Sequence, residues 1–430
     1  MTSLWHPFAD MAAVSASGEF VIERGEGVYV WDSAGRRYFD ATASLWYCNV
    51  GFGRGEIAEA VATQLRSLSA YSNFGDFATR PTLELADRLA DLAPQPGTKV
   101  FFTSGGSDSV DTAAKLVRRY WHAMGQPERN VIVVRRHAYH GMHMGGTSLA
   151  GIDANRSDYG SLMEGVVRVD WDSPASLAET FATIGPERVA AFFCEPVIGA
   201  GGVFPPPPGY LQAVRELCRK SGVLFVADEV ITGFGRIGGA WFASGRFNLE
   251  PDMILCAKGI TSGYVPLGAV LVGPRVASPF WADGTNNMWR HGYTYSGHAA
   301  AAAAALANLD ILEREDLLAR SGELESTLAS TLAPLSDHHL VSEVRAGVGV
   351  LAAIQFAPES IATDPTLPAR AVARLRCHGV LTRLLASGAL QISPAFTVEK
   401  EQLVELAATV NLVLEELAST AGQSVGAGRT

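Results

Sequence analysis

Two spacings of hydrophobic residues share this chain. Over residues 56–68, Ile57, Val61, Leu65 and Leu68 recur every three or four positions and predict the apolar face of a helix. A second helix is predicted after Pro81, with Leu85, Leu89 and Leu92 on its apolar side. Proline suits a first helical turn because the amide it lacks has no partner there. Short apolar runs follow: KVFFTS (99–104), NVIVVRR (130–136), VAAFFCEP (189–196), VLFVAD (223–228) and MILCAK (253–258). Their hydrophobicity is nearly continuous rather than alternating, which predicts strands covered on both faces. Helical stretches separate most of them, one starting near Ser107 and one over 210–222 that Gly222 ends. Strand–helix alternation predicts an α/β fold with a mostly parallel, doubly wound sheet.

Past residue 296 the pattern changes to longer helices and fewer strands. The last helix carries Leu403, Leu406, Val410, Val413 and Leu417 on one face. We therefore expect a large α/β domain over 56–295, a smaller α+β domain over 296–418 and a flexible tail over 419–430. Residues 1–55 are expected to join the smaller domain. The four prolines at 205–208 form a stiff connector.

Composition narrows the class. The 430 residues are 48% hydrophobic and 18% charged, too apolar for a disordered or fibrous chain. That charged fraction lies below the roughly 25% of ordinary globular domains, as it does when subunits bury surface against each other. Lys and Arg number 34 against 44 Asp and Glu, a net charge of −10, which argues against nucleic acid or an anionic membrane as partner. The cysteines Cys48, Cys194, Cys218, Cys256 and Cys377 form no CxxC pair and read as reduced thiols. The first residues lack a secretory pattern, and the alanine tract 299–306 soon meets Asn308 and Asp310, short of the roughly 18 apolar residues of a membrane span. The expectation is a cytoplasmic protein.

In an open parallel sheet, ligands gather at the carboxyl ends of the strands. Here those ends carry unusual residues. Ser104, Gly105, Gly106 and Ser107 lie between a strand and a helix, where glycines let backbone approach a phosphate and free helix amides face it. Asp228 ends one apolar strand and Lys258 another. A lysine in an apolar setting loses proton affinity and becomes a nucleophilic amine. Two of these features are ordinary alone, the loop as a tight turn and the lysine as a snorkelling surface residue. Together the three are an anchor, a partner for a ring nitrogen and a Schiff-base amine, the needs of pyridoxal phosphate.

FFTSGGSDSVDTAAKL, AYHGMH, CEPVIGAGG, ADEVITGFGR, CAKGITSGYVPLGA and HGYTYSGH, in that order, resemble the class III pyridoxal-phosphate aminotransferases of fold type I. The likeness runs from about Trp5 to the 380s. LWYCNVGFGR and GVLTRLLASGALQISPAF are most similar to the ω-amino acid:pyruvate branch, the ω-transaminases. The resemblance implies that Lys258 forms the Schiff base and Asp228 keeps the pyridine nitrogen protonated. It implies Tyr139 on one cofactor face and Val230 on the other, Gly106 and Ser107 on the phosphate, and His140 and Glu195 nearby, Glu195 on the ring-hydroxyl side. Thr294 would reach the phosphate of a neighbouring subunit, so a homodimer with a shared site is implied, or a tetramer of such dimers. The small-molecule partners would be an amino donor, such as β-alanine or a primary amine, and a keto acid such as pyruvate. Diamine, ornithine-type and biotin-pathway aminotransferases are the alternatives within the family.

On the substrate side, the resemblance implies that Arg383 grips a carboxylate; the plainer reading is a structural ion pair. Trp46 and Tyr47 would line a pocket for an apolar group and Ala200 would bound it, against the plainer reading of core packing. The phosphate loop departs from the family's usual Asn-Ser-Gly-Ser-Glu-Ala-Asn: Gly105 removes one hydroxyl, Asp108 shortens a carboxylate and Val110 replaces a polar side chain. Two decoys are set aside. His137, His140 and His143 recur every third residue, but in a loop with no carboxylate or cysteine to complete a metal site. Residues 347–352 fit GxGxxG/A but lead into a strand-like run, so the helix that a dinucleotide site of an NAD-dependent oxidoreductase requires is missing.

Overall fold

A computed structural model describes residues 3–284 and 287–426, with side chains described through 419. Three strands come first: β1 (Ile22–Glu26), β2 (Tyr29–Asp32) and β3 (Arg37–Asp40). The central sheet then takes β4 (Lys99–Thr103), β5 (Val131–Arg135), β6 (Val166–Val169), β7 (Val189–Cys194), β8 (Leu224–Asp228), β9 (Met253–Cys256) and β10 (Gly268–Val272). Its order is β4-β10-β9-β8-β7-β5-β6. Every residue of β5, β7, β8, β9 and β10 is buried, the two-sided covering expected of continuous apolar runs. Five of these strands match the predicted runs. Of the other two, β6 is short and only partly buried, and β10 runs antiparallel between β4 and β9. Because β10 is antiparallel to both neighbours, β4 keeps the direction of β9, and the carboxyl ends of β4, β5, β7, β8 and β9 share one edge.

Four later strands, β11 (Val341–Arg345), β12 (Ala352–Phe356), β13 (Val380–Leu381) and β14 (Leu390–Ile392), build two small sheets. One has the order β11-β12-β14; in the other, β13 adds in parallel to β3 and ties the first segment of the chain to the last. Of the predicted apolar stripe at 56–68, Ile57 is sealed while Leu65 and Leu68 stay 48% and 41% exposed on this single chain. The last helix behaves as its pattern predicts, with Leu403, Leu406, Val410, Val413 and Leu417 all buried. It extends to Gly426, past the end expected at 418, because no proline or early glycine stops it; of the expected tail, residues 427–430 lie outside the described residues. Among the described residues, no helix is long and apolar enough to cross a membrane.

Candidate active site

Lys258 sits where β9 ends and the chain turns sharply. Its φ is +47°, a left-handed conformation that costs a non-glycine residue roughly 1–3 kcal/mol. Buried neighbours hold it there. Asn308, fully buried on the helix Ala299–Arg314, donates to the carbonyls of Gly259 and Ile260 at 2.9 and 3.1 Å. Gly259 has no room for a side chain, since a Cβ would come within 2.5 Å of Asn49 Nδ2. Burial lowers the Lys258 amine to about 8, while Asp228 and Glu195 pull it back upward. A buried amine near 8 is partly free base at neutral pH, as a nucleophile or proton acceptor must be.

Asp228 ends β8 and is buried. One carboxylate oxygen pairs with His140 Nδ1 at 2.7 Å and the other accepts from the Val230 amide at 3.2 Å. His140 is therefore the partner of a carboxylate, and its neighbours go elsewhere: His143 to Asp108, and His137 against the Phe204 ring. Glu195, at the end of β7, accepts from the amides of Tyr139 and Gly199 at 2.8 and 3.0 Å. Burial pushes Glu195 above the usual carboxylate range. The adjacent acid, Glu229, is spent structurally on Thr232 and on the Ala243 and Ser244 amides.

The loop after β4 opens the 18-residue helix Gly106–Ala123, whose N-terminus has no side-chain cap. Uncapped first-turn amides and the positive end of the helix dipole favour an anion. The loop is shaped for one. A Cβ on Gly105 would meet nothing within 4 Å, whereas one on Gly106 would press Val230 Cγ1 at 2.8 Å. Asp108, despite its shorter side chain, closes the loop by accepting from the Ser104 amide at 3.0 Å. Ser107 Oγ accepts from the Met142 amide and so joins this loop to the Tyr139–Gly141 turn.

These elements enclose a cavity of about 350 Å³ whose lining includes Tyr47, Gly106, Ser107, Tyr139, His140, Glu195, Asp228, Val230 and Lys258. Trp46, Arg383 and Ala200 stand beside it. The Trp46 ring lies 4.4 Å from the Arg383 guanidinium carbon and 5.9 Å from Lys258 Nζ. Ala200 packs in the apolar cluster that contains Trp46 and Ile231. Thr294 is exposed and is not part of this cavity in the single chain. Sequence reasoning missed Ile231, Thr261, Pro266 and Leu267 in the lining, and Gln391, whose Oε1 takes the Arg383 Nε–H at 2.7 Å. A lone amide in the apolar run ALQI is the signal that marks Gln391.

The cavity fits pyridoxal phosphate on three counts: uncapped helix amides beside open space for a phosphate, a buried carboxylate for a protonated ring nitrogen, and a buried amine of depressed basicity for an aldehyde. Comparison with known proteins agrees. The family described as aminotransferase class III matches residues 11–414. The chain is 37% identical over 437 residues to the putrescine–pyruvate aminotransferase of Pseudomonas aeruginosa, covering 96% of this chain and 94% of that protein. It superposes on a transaminase from the marine bacterium Virgibacillus with a TM-score of 0.93, at 34% identity over 97% of this chain and 98% of the other. A PLP-bound amine transaminase from an uncultivated Pseudomonas species gives 0.92 at 36% identity, covering 97% and 99%. Matched along nearly its whole length, with the donors that such a cofactor requires, the chain belongs to the class III aminotransferases, which use pyridoxal phosphate to move an amino group from an amine to a keto acid.

Proposed function

We propose that this enzyme takes its amino group from ω-amino acids and primary amines, β-alanine-like compounds among them, and passes it to pyruvate. The observation that carries the carboxylate part is Arg383: its guanidinium lies against Trp46 beside the cavity and has no carboxylate partner among the described residues. A guanidinium without a counter-ion in a half-buried place suits the carboxylate of an ω-amino acid or of a keto acid. The relative named for putrescine and pyruvate supports pyruvate as acceptor, and it favours a second reading in which the donor is a diamine.

Bound in the cavity, pyridoxal phosphate supplies an aldehyde that captures amines and a ring that stores the electron pair left by a departing proton. The protein does the rest. The amides of Gly106 and Ser107 would hold the phosphate, Tyr139 and Val230 would flank the ring, and Glu195 would serve its hydroxyl side. Asp228, oriented by His140, keeps a proton on the ring nitrogen. Lys258 would hold the cofactor through its amine; once a donor displaces it, its Nζ would be free to take and return the proton of the donor's amine-bearing carbon. The keto acid then runs the same steps in reverse, which makes the kinetics ping-pong.

The working unit in this reading is a homodimer, with Thr294 of each chain serving the other's phosphate. Exposed Leu65, Leu68, Phe74, Phe77 and Tyr295 supply apolar surface for such an interface. The parallel pairing of β3 with β13 supports assigning residues 1–55 to the smaller domain. Initial rates with β-alanine, a simple primary amine and putrescine, each against pyruvate, test the substrate assignment. β-Alanine and the amine are expected to react; putrescine reacting far faster than both favours the diamine reading, and inertness of all three overturns the assignment.

A further inference from the structure

Arg383 does not hold its own position. It lies across a short hairpin from Gln391, whose backbone amide donates to the Arg383 carbonyl at 3.0 Å. The two side chains meet as well, Gln391 Oε1 accepting from Arg383 Nε at 2.7 Å. Gln391 is fully buried in β14, between Leu390 and Ile392. Its remaining polar atom, Nε2, donates to the Thr42 carbonyl at 3.4 Å, and the same carbonyl accepts the Trp46 amide at 3.0 Å. One buried amide thus ties together the guanidinium and the backbone of the segment whose indole lies 4.4 Å beneath it. That segment is itself under constraint: Ala43, Ser44 and Trp46 all have positive φ, and the Asp40 carboxylate accepts from the Thr42 and Ser44 amides.

The chemistry of the tie matters as much as its geometry. A neutral acceptor on Nε fixes the plane of the guanidinium without cancelling its charge. It also leaves the two terminal nitrogens, which have no protein partner among the described residues, for a bidentate carboxylate. A carboxylate on β14 would bond equally well and neutralise the arginine. An apolar side chain there would release it, and would strand the Thr42 carbonyl from one of its donors.

We propose that Gln391 is a positioning residue that sets the preference for carboxylate-bearing over plain amine substrates, by holding Arg383 charged and open on Trp46. The proposal rests on the reading of Arg383 as the carboxylate site, and the test separates the two. Holoenzymes of the parent, Gln391→Met, Gln391→Glu and Arg383→Ala are compared in two ways: kcat and KM for β-alanine and for a simple primary amine, and calorimetric binding of propionate, which has no amine to react. Loss of one charge-assisted hydrogen bond predicts a fall of about ten- to a hundredfold in the β-alanine-to-amine ratio of kcat/KM for Gln391→Met, carried mainly by KM, with propionate weakened to match. Gln391→Glu is expected to lose propionate binding as well, although it preserves shape and hydrogen bond; a merely structural glutamine would be rescued by that isostere. If Arg383→Ala lowers the ratio and both Gln391 variants keep it within twofold of the parent, the role of Gln391 is overturned and the carboxylate site stands. If Arg383→Ala leaves the ratio unchanged, the carboxylate site itself fails and takes this role with it.

Discussion

His140 Nδ1 lies 2.7 Å from Asp228 Oδ2, and both side chains are sealed from solvent. The other imidazole nitrogen has no protein partner among the described residues, so the contact with Asp228 is the one polar bond this ring makes. A hydrogen bond to a buried carboxylate is worth roughly 1.5–3 kcal/mol. His140→Ala is therefore expected to weaken pyridoxal phosphate binding and to slow single-turnover transamination by about ten- to a hundredfold. Asp228→Ala should be worse, since it removes the charge itself. Cofactor titration and stopped-flow rates check both; parent-like behaviour of His140→Ala would show that the pair is packing alone.

The depressed basicity of Lys258 gives a pH dependence with a definite sign. Below about 8 the buried amine is protonated and cannot attack an aldehyde; above it the amine is free. Cofactor uptake by the apo-protein should accelerate with pH up to about 8 and then level, whereas a lysine at the ordinary 10.5 would keep climbing. The same displacement predicts that apo-protein stability rises with pH between about 8 and 10.5, where the unfolded chain holds a proton that the folded one has released. Lys258→Met should remove that rise, measured by denaturant titration across the range.

Gly106 faces the Val230 side chain. A methyl group there must displace Val230, whose Cγ1 would stand 2.8 Å away. Gly106→Ala is expected to weaken cofactor binding by about tenfold, the scale of 1–3 kcal/mol that overpacking costs. Melting of the apo-protein should change little, because Val230 lines the cavity and can shift into it. Equal losses of melting temperature and cofactor affinity would point to misfolding instead.

Arg236 joins three parts of the chain from a fully buried position. It donates to Asn49 Oδ1 at 2.6 Å and to the Val350, Ser393 and Pro394 carbonyls, and its guanidinium lies over Phe396. Arg236→Met should cost about 3 kcal/mol or more by leaving those acceptors unpaired. Thermal unfolding checks this; a loss under about 1 kcal/mol would mean that the acceptors find other donors.

The strands that carry chemistry were legible because a sheet covered on both faces writes itself as continuous apolar runs, and Asp228 and Lys258 stand out as the charges that end two of them. Resemblance of the ordered motifs added the family. Pairings made only in the folded chain were less visible. The local pattern of Gly268–Val272 says nothing of its running antiparallel between β4 and β9, and nothing near Val380 announces a partner at Phe39. Resemblance put His140 near the cofactor, but its pairing with Asp228, 88 residues away, is visible only in the fold. Gln391 shows in the sequence only as a lone amide in an apolar run, which says nothing of the Arg383 side chain it meets.

If Lys258 and bound pyridoxal phosphate carry an amino group from an amine to a keto acid, each half of the turnover changes the cofactor's colour. Visible absorbance of the purified, cofactor-loaded protein follows that change. The protein is expected to be yellow, to bleach on addition of β-alanine, to regain its band with pyruvate, and to lose this cycle in Lys258→Ala while still retaining the cofactor. A protein that takes up no pyridoxal phosphate, or a Lys258→Ala variant that completes the cycle at the parent's rate, would contradict this expectation.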